Sequence, residues 1–290
     1  MYESDQEITS FTTKFGNYYF KVMPFRLTNA PATFQREMNR IFFDLINKCV
    51  QIYLDDIIYS PSIEQHLIDL ADVFKILRKF KLKMNIEKCH FWVFEVEALG
   101  HKISNKGLLP LEKKVDAKEK LDNLSNVTEL SSFLGMVGYY RNFIENYATL
   151  TSPLCKLLRK NSTFEWTNEH TSSIEKLKET LCHALILCYT CYEKPFIIRT
   201  DVSYQGIGGV LLQLYNDERE HPVFYISRSQ HKSEFNYPIT KLEGTAAYFC
   251  VNKFKQYILG NPFQTILYTD HQPLVPIIMK CEPNTSKHAR

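Results

Sequence analysis

Two adjacent aspartates, Asp55 and Asp56, stand inside the apolar, strand-like run YLDDIIYS. A buried carboxylate without a partner costs several kcal/mol, so the pair indicates either an exposed turn or a site that a cation occupies. Carboxylates that reach one point can hold Mg²⁺, which prefers oxygen ligands and commonly bridges to substrate phosphates. Because neighbouring residues of a regular strand point to opposite faces, the pair can serve one site only at a tight hairpin turn. On this octapeptide alone, a metal site and a plain turn are equally good interpretations.

A second set of acids lies far along the chain. Asp201 ends the strand-like run PFIIRTD, Glu243 lies in the first turn of a predicted helix, and Asp270 ends the run FQTILYTD. These positions converge if the two strands are neighbours in one sheet and the helix packs across it. Glu243 has a structural alternative, because Thr240 and Glu243 have the spacing of a capping box. His271 is interpreted as a loop residue, since hard Mg²⁺ prefers oxygen ligands.

The elements that must position these acids follow from apolar spacing and from turn and capping residues. Those signals predict strands over residues 17–23 and 50–60, a helix that starts near 28–31, a hairpin over 91–104, and helices over about 63–80, 127–146, 168–183 and 239–258. Beyond residue 195, three short strand-like runs, a helix and a final strand indicate an antiparallel meander with one added strand. This change of pattern predicts a domain boundary near residue 190.

Composition sets only broad limits. The chain has 290 residues, 44% hydrophobic and 23% charged, with a net charge of +3. This is an ordinary globular mix, and the length suggests about two domains. The CYTC run at 188–191 has the spacing of a zinc-binding pair, but no second pair exists to complete four ligands. No apolar run approaches the roughly twenty residues that a membrane span needs.

Several motifs in a fixed order resemble the reverse transcriptase and ribonuclease H region of long-terminal-repeat retroelements, the gypsy-like class especially. They are MPFRLTNAPATFQREMNRIF upstream of the aspartate pair, LKMNIEKCHFWVFEVEALGHKIS downstream, and then ELSSFLGMVGYYRNFIENYATLTSPLCKLL, FEWTNEH, TDVSYQGIGGVLLQ and YTDHQPL. The resemblance implies an α+β fold. A partial polymerase palm would cover residues 1–108, a mainly helical thumb and connection 109–190, and a ribonuclease H-like domain, truncated at its C-terminus, 191–290.

The resemblance also implies roles for polymerase residues. Asp55 and Asp56 match the paired acids of the palm, with Asp55 as the direct metal ligand. Gln35 in PATFQ and Lys88 in NIEKC match nucleotide-binding positions, although a solvated glutamine and a surface lysine fit the same residues. The hairpin that steadies the primer end is matched by Leu99, Gly100 and His101, where a plain hairpin turn would also need the glycine.

The same resemblance implies a second catalytic site and a set of partners. Asp201, Glu243 and Asp270 match carboxylates that hold two Mg²⁺ (or Mn²⁺) ions and hydrolyse the RNA strand of a hybrid; the polymerase site would also take two ions. The implied partners are RNA and DNA primer–template, RNA–DNA hybrid and deoxynucleoside triphosphates, without a membrane. The implied location is a cytoplasmic particle or the nucleus of a cell with an active parent element. Oligomeric state does not follow.

Three departures from the family pattern shape the expected activity. No acid in residues 1–20 matches the first palm aspartate, and the chain stops at Arg290 before the last ribonuclease H carboxylate would appear. Arg26 replaces a glycine of the pattern, where it would either bind phosphate or obstruct the site. An isolated chain of this kind is expected to bind nucleic acid weakly, to extend no primer, and to cleave hybrids weakly with Mn²⁺. The alternative is a degenerate or co-opted nucleic-acid-binding relic.

Overall fold

The computed structural model describes residues 3–24, 26–53, 55–111, 124, 126–160, 163–182, 185–203, 206–215 and 217–279, with the backbone alone for 55–58. The chain divides into two compact units, Met1–Phe91 and Trp92–Arg290. Among the described helices, none is long and apolar enough to cross a membrane.

The first unit is built from two hairpins and two long helices. Its elements are α1 (Glu3–Gln6), β1 (Phe11–Thr13), β2 (Gly16–Tyr18), α2 (Ala30–Ile41), β3 (Val50–Tyr53), β4 (Asp55–Ile58) and α3 (Ile63–Lys79). Strand β1 pairs with β2, and β3 pairs with β4, both antiparallel. Helices α2 and α3 bury their apolar faces with β3 in one cluster that includes Met38, Ile52 and Val73. This cluster holds the β3–β4 hairpin against both helices.

Helix α3 confirms its prediction, whereas the strands of this unit differ from theirs. Ser62 caps α3 by accepting a hydrogen bond from the backbone N–H of Gln65 at 3.2 Å. The strand predicted over residues 17–23 was wrong in length, because β2 ends at Tyr18. Among the described strands, its only partner is the three-residue β1, and the aromatic side chains that follow lie exposed rather than against a core. The run 50–60 forms two short strands instead of one.

The second unit contains two sheets and five helices in its described residues. Its elements are β5 (Glu95–Ala98), β6 (His101–Ser104), β7 (Gly107–Pro110), α4 (Val127–Tyr139), α5 (Tyr147–Leu157), α6 (Asn168–Cys182), β8 (Ile197–Val202), β9 (Gly206–Leu214), β10 (Glu220–Ser229), α7 (Ile239–Ile258), β11 (Ile266–Tyr268) and α8 (Leu274–Met279). Strands β5, β6 and β7 form an antiparallel meander, of which β7 was not predicted. The larger sheet has the order β10-β9-β8-β11. Its first three strands are antiparallel and β11 is parallel to β8, which confirms the predicted arrangement.

Helices cover both faces of the larger sheet. Val210 and its cross-strand partner Tyr225 pack into the cluster formed by α4, α5 and α6. Leu211 points to the other face, where it meets Cys250 and Phe254 of α7. Strand β9 therefore needs apolar residues on both faces, which explains its continuous apolar run. The domain boundary predicted near residue 190 stays a prediction. Helices within residues 127–182 share a hydrophobic core with the larger sheet, which lies beyond that boundary.

The helical region differs from its prediction at one place. Asn126 caps α4, with its Oδ1 accepting from the backbone N–H of Glu129 at 2.9 Å. The single helix predicted over 127–146 is wrong, because α4 ends at Tyr139 and α5 starts after Asn146. Asn146 has the left-handed backbone angles φ 51° and ψ 31°, which no helix interior can accommodate. Helix α5 was missed because it carries Pro153 in its interior.

Candidate active sites

The aspartate pair lies at the tip of the β3–β4 hairpin. Tyr53 pairs with Asp55 and Ile52 pairs with Asp56, so one residue separates the two strands. This backbone position confirms the predicted hairpin tip. Both aspartates are consecutive residues of β4, and the directions of their side chains lie outside the described part of the structure. Their joint use as metal ligands therefore stays a prediction.

Gln35 contacts the strand that faces the aspartates. Its Nε2 donates to the backbone carbonyl of Ile52 at 2.9 Å and to Oδ1 of Asn39 at 3.0 Å. Because these two bonds use both N–H groups of the amide, Gln35 ties α2 to β3 here. A donor role toward a nucleotide would require these bonds to break. Lys88 is exposed at the end of a 3₁₀ helix over Ile86–Lys88, and its closeness to the hairpin stays a prediction.

The predicted primer-contacting residues form the turn of the β5–β6 hairpin in the second unit. Leu99 and Gly100 both have positive φ, 49° and 71°, as a tight two-residue hairpin turn requires. The hydroxyl of Tyr140 donates to the carbonyl of Gly100 at 2.6 Å, and the hydroxyl of Tyr139 donates to the carbonyl of Leu99. His101 stacks on Tyr139 with ring centroids 5.3 Å apart. The end of α4 thus fixes this turn, while primer contact itself stays a prediction.

Arg26 stands where the backbone favours glycine. Its φ is 71°, in the left-handed region that costs an L-residue with a side chain roughly 1 kcal/mol or more. This gives a backbone reason for the glycine of the family pattern, beside the lack of a side chain.

We expect Arg26→Gly to stabilise the first unit by up to about 1 kcal/mol, because glycine adopts positive φ without strain. Hydrogen exchange of first-unit amides would measure the change. Arg26→Ala is the control, since it removes the same side chain but keeps the strain. An equal gain in both variants would show that the side chain, not the backbone, is responsible.

Asp201 and Asp270 lie at the same edge of the larger sheet. Parallel pairing of β8 with β11 places Arg199 opposite Tyr268. Asp201 and Asp270 each follow that pair by two residues, so both stand at the C-terminal ends of neighbouring strands. Both are exposed, which leaves this edge open to a substrate.

Glu243 completes the set from α7. It is buried, and its Oε2 has no hydrogen-bond partner among the described residues. Burial raises the pKa of its carboxyl group above the usual value, and the charge of Asp270, followed by that of Asp201, raises it further. His271 lowers this pKa, by less than Asp270 raises it but by more than Asp201 does. The charges of Asp270 and Asp201 therefore both act on Glu243, while a shared metal site stays a prediction.

The capping-box alternative for Glu243 is wrong. Helix α7 begins at Ile239 after Pro238, so Glu243 lies in the second turn rather than the first. Thr240 is already inside the helix, and its hydroxyl hydrogen-bonds Nε2 of His271 at 2.8 Å instead of capping. His271 accordingly anchors the loop after Asp270, in agreement with its interpretation as a loop residue.

The carboxylate set fits a divalent cation by its chemistry. Oxygen ligands from three acids suit Mg²⁺ or Mn²⁺, and a buried carboxylate oxygen without a partner needs a counter-charge. In the described residues, no three acidic, histidine or cysteine side chains are close enough to form a ready-made metal cluster. A bound cation would therefore have to draw the three carboxylates together.

Asn146 is the contact that sequence reasoning missed. Its Nδ2 donates to Oδ2 of Asp201 at 2.7 Å. A Cβ placed on Gly208, the partner of Asp201 in β9, would lie 2.6 Å from Oδ1 of Asn146. A Cβ on Gly206 would lie 2.9 Å from Oγ1 of Thr149. The alternating glycines of QGIGG were the available signal, because they open one face of β9 to the start of α5.

Comparison with protein families gives two matches. A family described as reverse transcriptase (RNA-dependent DNA polymerase) matches residues 1–103. A family described as an RNase H-like domain found in reverse transcriptase matches residues 166–265. Together they cover the predicted site residues except Asp270, which lies beyond residue 265.

Curated relatives are polyproteins of transposons. The chain is 36% identical over 284 residues to the retrovirus-related Pol polyprotein from transposon 412 of Drosophila melanogaster, covering 98% of this chain and 23% of that protein. It is 39% identical over 277 residues to the Pol polyprotein from transposon 297 of the same fly, covering 94% and 26%. Identity to the transposon Tf2-3 polyprotein of Schizosaccharomyces pombe is 32%, covering 99% and 22%. The chain thus spans about a quarter of the length of these relatives.

Solved structures show the same fold. A foamy viral protease-reverse transcriptase in complex with dsDNA matches with a TM-score of 0.81 and 24% identity, covering 98% of this chain and 59% of that one. The complex of the foamy viral enzyme with an RNA/DNA hybrid matches with a TM-score of 0.76 and 24% identity, covering 95% and 37%.

Proposed function

This chain belongs to the reverse transcriptase and ribonuclease H family found in retrotransposon Pol polyproteins, and we propose that its second unit hydrolyses the RNA strand of RNA–DNA hybrids. The observation that carries the proposal is the set Asp201, Glu243 and Asp270 at one edge of the sheet. Glu243 is buried with an oxygen that has no partner among the described residues, and the charges of Asp270 and Asp201 oppose its ionisation; this arrangement is destabilising unless a function retains it.

The three carboxylates differ in position, and we assign their roles accordingly. Asp201 and Asp270 are exposed at the strand ends, where a phosphodiester can approach, and Glu243 supplies a carboxylate from below the surface. Two divalent ions held by these acids would supply charge stabilisation for the attacking and leaving oxygens. His271 fixes the loop after Asp270 through Thr240, and so limits the directions that the Asp270 carboxylate can take.

The polymerase proposal rests on the first unit and is a second candidate function. Asp55 and Asp56 at the hairpin tip would hold two ions there, and Lys88 would offset charge on the triphosphate. Primer–template, hybrid and deoxynucleoside triphosphates are the proposed partners. The foamy viral neighbours were solved with dsDNA and with RNA/DNA hybrid, which supports the choice of ligands.

Cleavage of a hybrid labelled on its RNA strand tests the ribonuclease proposal. We expect cleavage of the RNA strand with Mn²⁺ and, more slowly, with Mg²⁺. Asp201→Asn should lower the rate at least about 100-fold, because loss of a ligand exceeds the 10–100-fold effect of losing a residue that only supports one. Hybrid binding should persist and weaken linearly on a log–log plot against salt.

Asp217→Asn is the matched control. Asp217 lies in the β9–β10 turn, where it contacts His221, and the substitution removes the same charge away from the three acids. Equal loss in both variants, or cleavage of free RNA and DNA duplex at the same rate, would contradict the proposal. Salt-sensitive hybrid binding without any cleavage would favour the alternative, a degenerate or co-opted nucleic-acid-binding relic.

A further inference from the structure

We propose that Asn146 is a positioning residue for Asp201. Through Asn146, the helical region orients the first carboxylate, in chain order, of the proposed hydrolytic site. The inference rests on the proposed ribonuclease function. Its direct evidence is the 2.7 Å bond from Nδ2 of Asn146 to Oδ2 of Asp201. The bond joins residues 55 positions apart, so local chain geometry does not impose it.

The surroundings of Asn146 restrict it to this place. Its left-handed backbone, φ 51° and ψ 31°, suits asparagine better than most residues and starts α5 at Tyr147. Gly208 leaves the space that its side chain fills, since a Cβ there would lie 2.6 Å from Oδ1. The backbone, the neighbouring strand and the hydrogen bond therefore agree on one orientation.

The segment after Asn146 is anchored to the same sheet. The backbone N–H of Ala148 donates to Oγ of Ser227 on β10 at 2.9 Å. The hydroxyls of Thr149 and Ser203 lie 3.3 Å apart. The start of α5 is thus held to β10 and to the residue that follows β8, and Asn146 is the member of this segment that contacts the carboxylate.

The bond constrains Asp201 without using all of its capacity to bind a cation. A carboxylate offers about four lone-pair directions, and one amide donor occupies one of them. A neutral donor also leaves the charge of Asp201 in place. Outer residues that orient metal ligands in this manner typically contribute 10–100-fold in metal affinity or activity.

Two substitutions separate this role from general stability. Asn146→Gly removes the donor while it keeps the left-handed backbone free of strain. Gly208→Ala leaves every acid and Asn146 itself unchanged, but its Cβ displaces the Asn146 side chain. We expect each to weaken Mn²⁺ affinity, measured by calorimetry on the full chain, about tenfold, with a similar loss in hybrid cleavage. The double variant should be no worse than Asn146→Gly, because both act through one contact.

Ser227→Ala is the control, since it removes an anchor of the same segment that does not touch Asp201; its Mn²⁺ affinity should stay within about twofold of wild type.

Unchanged affinity and cleavage in Asn146→Gly, with both lost in Asp201→Asn, would refute the inference and leave the proposed function intact. Faster cleavage or tighter binding in Asn146→Gly would also refute it, because Asn146 would then mask Asp201. If Asp201→Asn changes neither affinity nor cleavage, the proposed function itself fails.

Discussion

Glu243→Gln is expected to abolish hybrid cleavage while it stabilises the protein in the absence of metal. The carboxyl group of Glu243 is buried, its Oε2 has no partner in the described structure, and Asp270 and Asp201 both repel its charge. Glutamine has the same shape without the charge, so it removes this repulsion. A gain on the order of 1 kcal/mol is typical when a strained functional group is replaced. Cleavage should fall at least about 100-fold, as for loss of any ligand of the site.

The pH dependence of this gain in stability of Glu243→Gln follows from the raised pKa of Glu243. A carboxyl group whose folded pKa lies above its unfolded value, here 4.5, destabilises the fold only when it is ionised. Wild type and Glu243→Gln should therefore have similar stability below about pH 4.5. The difference should grow as the pH rises through the folded pKa of Glu243, and then stay constant.

Fluorescence-monitored unfolding in urea would measure the difference, because both tryptophans of the chain, Trp92 and Trp166, lie in the second unit. Mn²⁺ should narrow the difference, since the cation stabilises wild type more than the variant. Glu193→Gln, at an exposed glutamate of the same unit, is the control and should change neither stability nor cleavage. A destabilised Glu243→Gln with full cleavage would mean that Glu243 is a structural residue.

The placement of the three acids could be predicted because local patterns determined it. Asp201 and Asp270 end apolar, strand-like runs, and α7 has the bounds predicted for it, 239–258. Once those strands are neighbours, their ends share an edge. The hairpin tip at Asp55 and the turn at Leu99 and Gly100 were predictable for the same reason.

Contacts between distant segments were not predictable. Thr240 and Glu243 have capping-box spacing, yet Thr240 bonds His271, 31 residues away. Asn146 fits the pattern of a long helix, but its left-handed backbone brings it to Asp201. In both places a tertiary hydrogen bond replaced the one that local spacing suggests, and a single sequence does not reveal which of the two is formed.

Glu234→Gln is expected to lower the free energy of unfolding of the second unit by about 3 kcal/mol at pH 7. Both Nη atoms of Arg228 donate to the Glu234 carboxylate, each at 2.7 Å, and the backbone N–H of His231 donates at 2.7 Å as well. The Glu234 side chain is only 7% exposed. These bonds lower the pKa of Glu234 from 4.5 to about 2, and each tenfold change in proton affinity corresponds to about 1.4 kcal/mol.

The pair holds the connection between β10 and the helix that carries Glu243. Arg228 lies 5.2 Å over the ring of Phe249 on α7, so loss of its partner leaves a charge beside that helix. The Glu220 pair with Arg199, also 2.7 Å long, is the control; its side chains are 25% and 54% exposed, and Glu220→Gln should cost less than about 1 kcal/mol.

Because the folded pKa of Glu234 is lowered, its contribution is complete well above pH 4.5 and declines as the pH falls from there toward 2. Urea unfolding followed by tryptophan fluorescence should therefore show wild type and Glu234→Gln converging over this range, while the small difference for Glu220→Gln remains small throughout. A constant difference between wild type and Glu234→Gln from pH 7 to pH 3 would mean that the variant loses packing and hydrogen-bond geometry rather than the ionised carboxylate. A difference below about 1 kcal/mol at pH 7 would place the Arg228–Glu234 pair with ordinary surface ion pairs, and the loop before α7 would then depend on its apolar contacts alone.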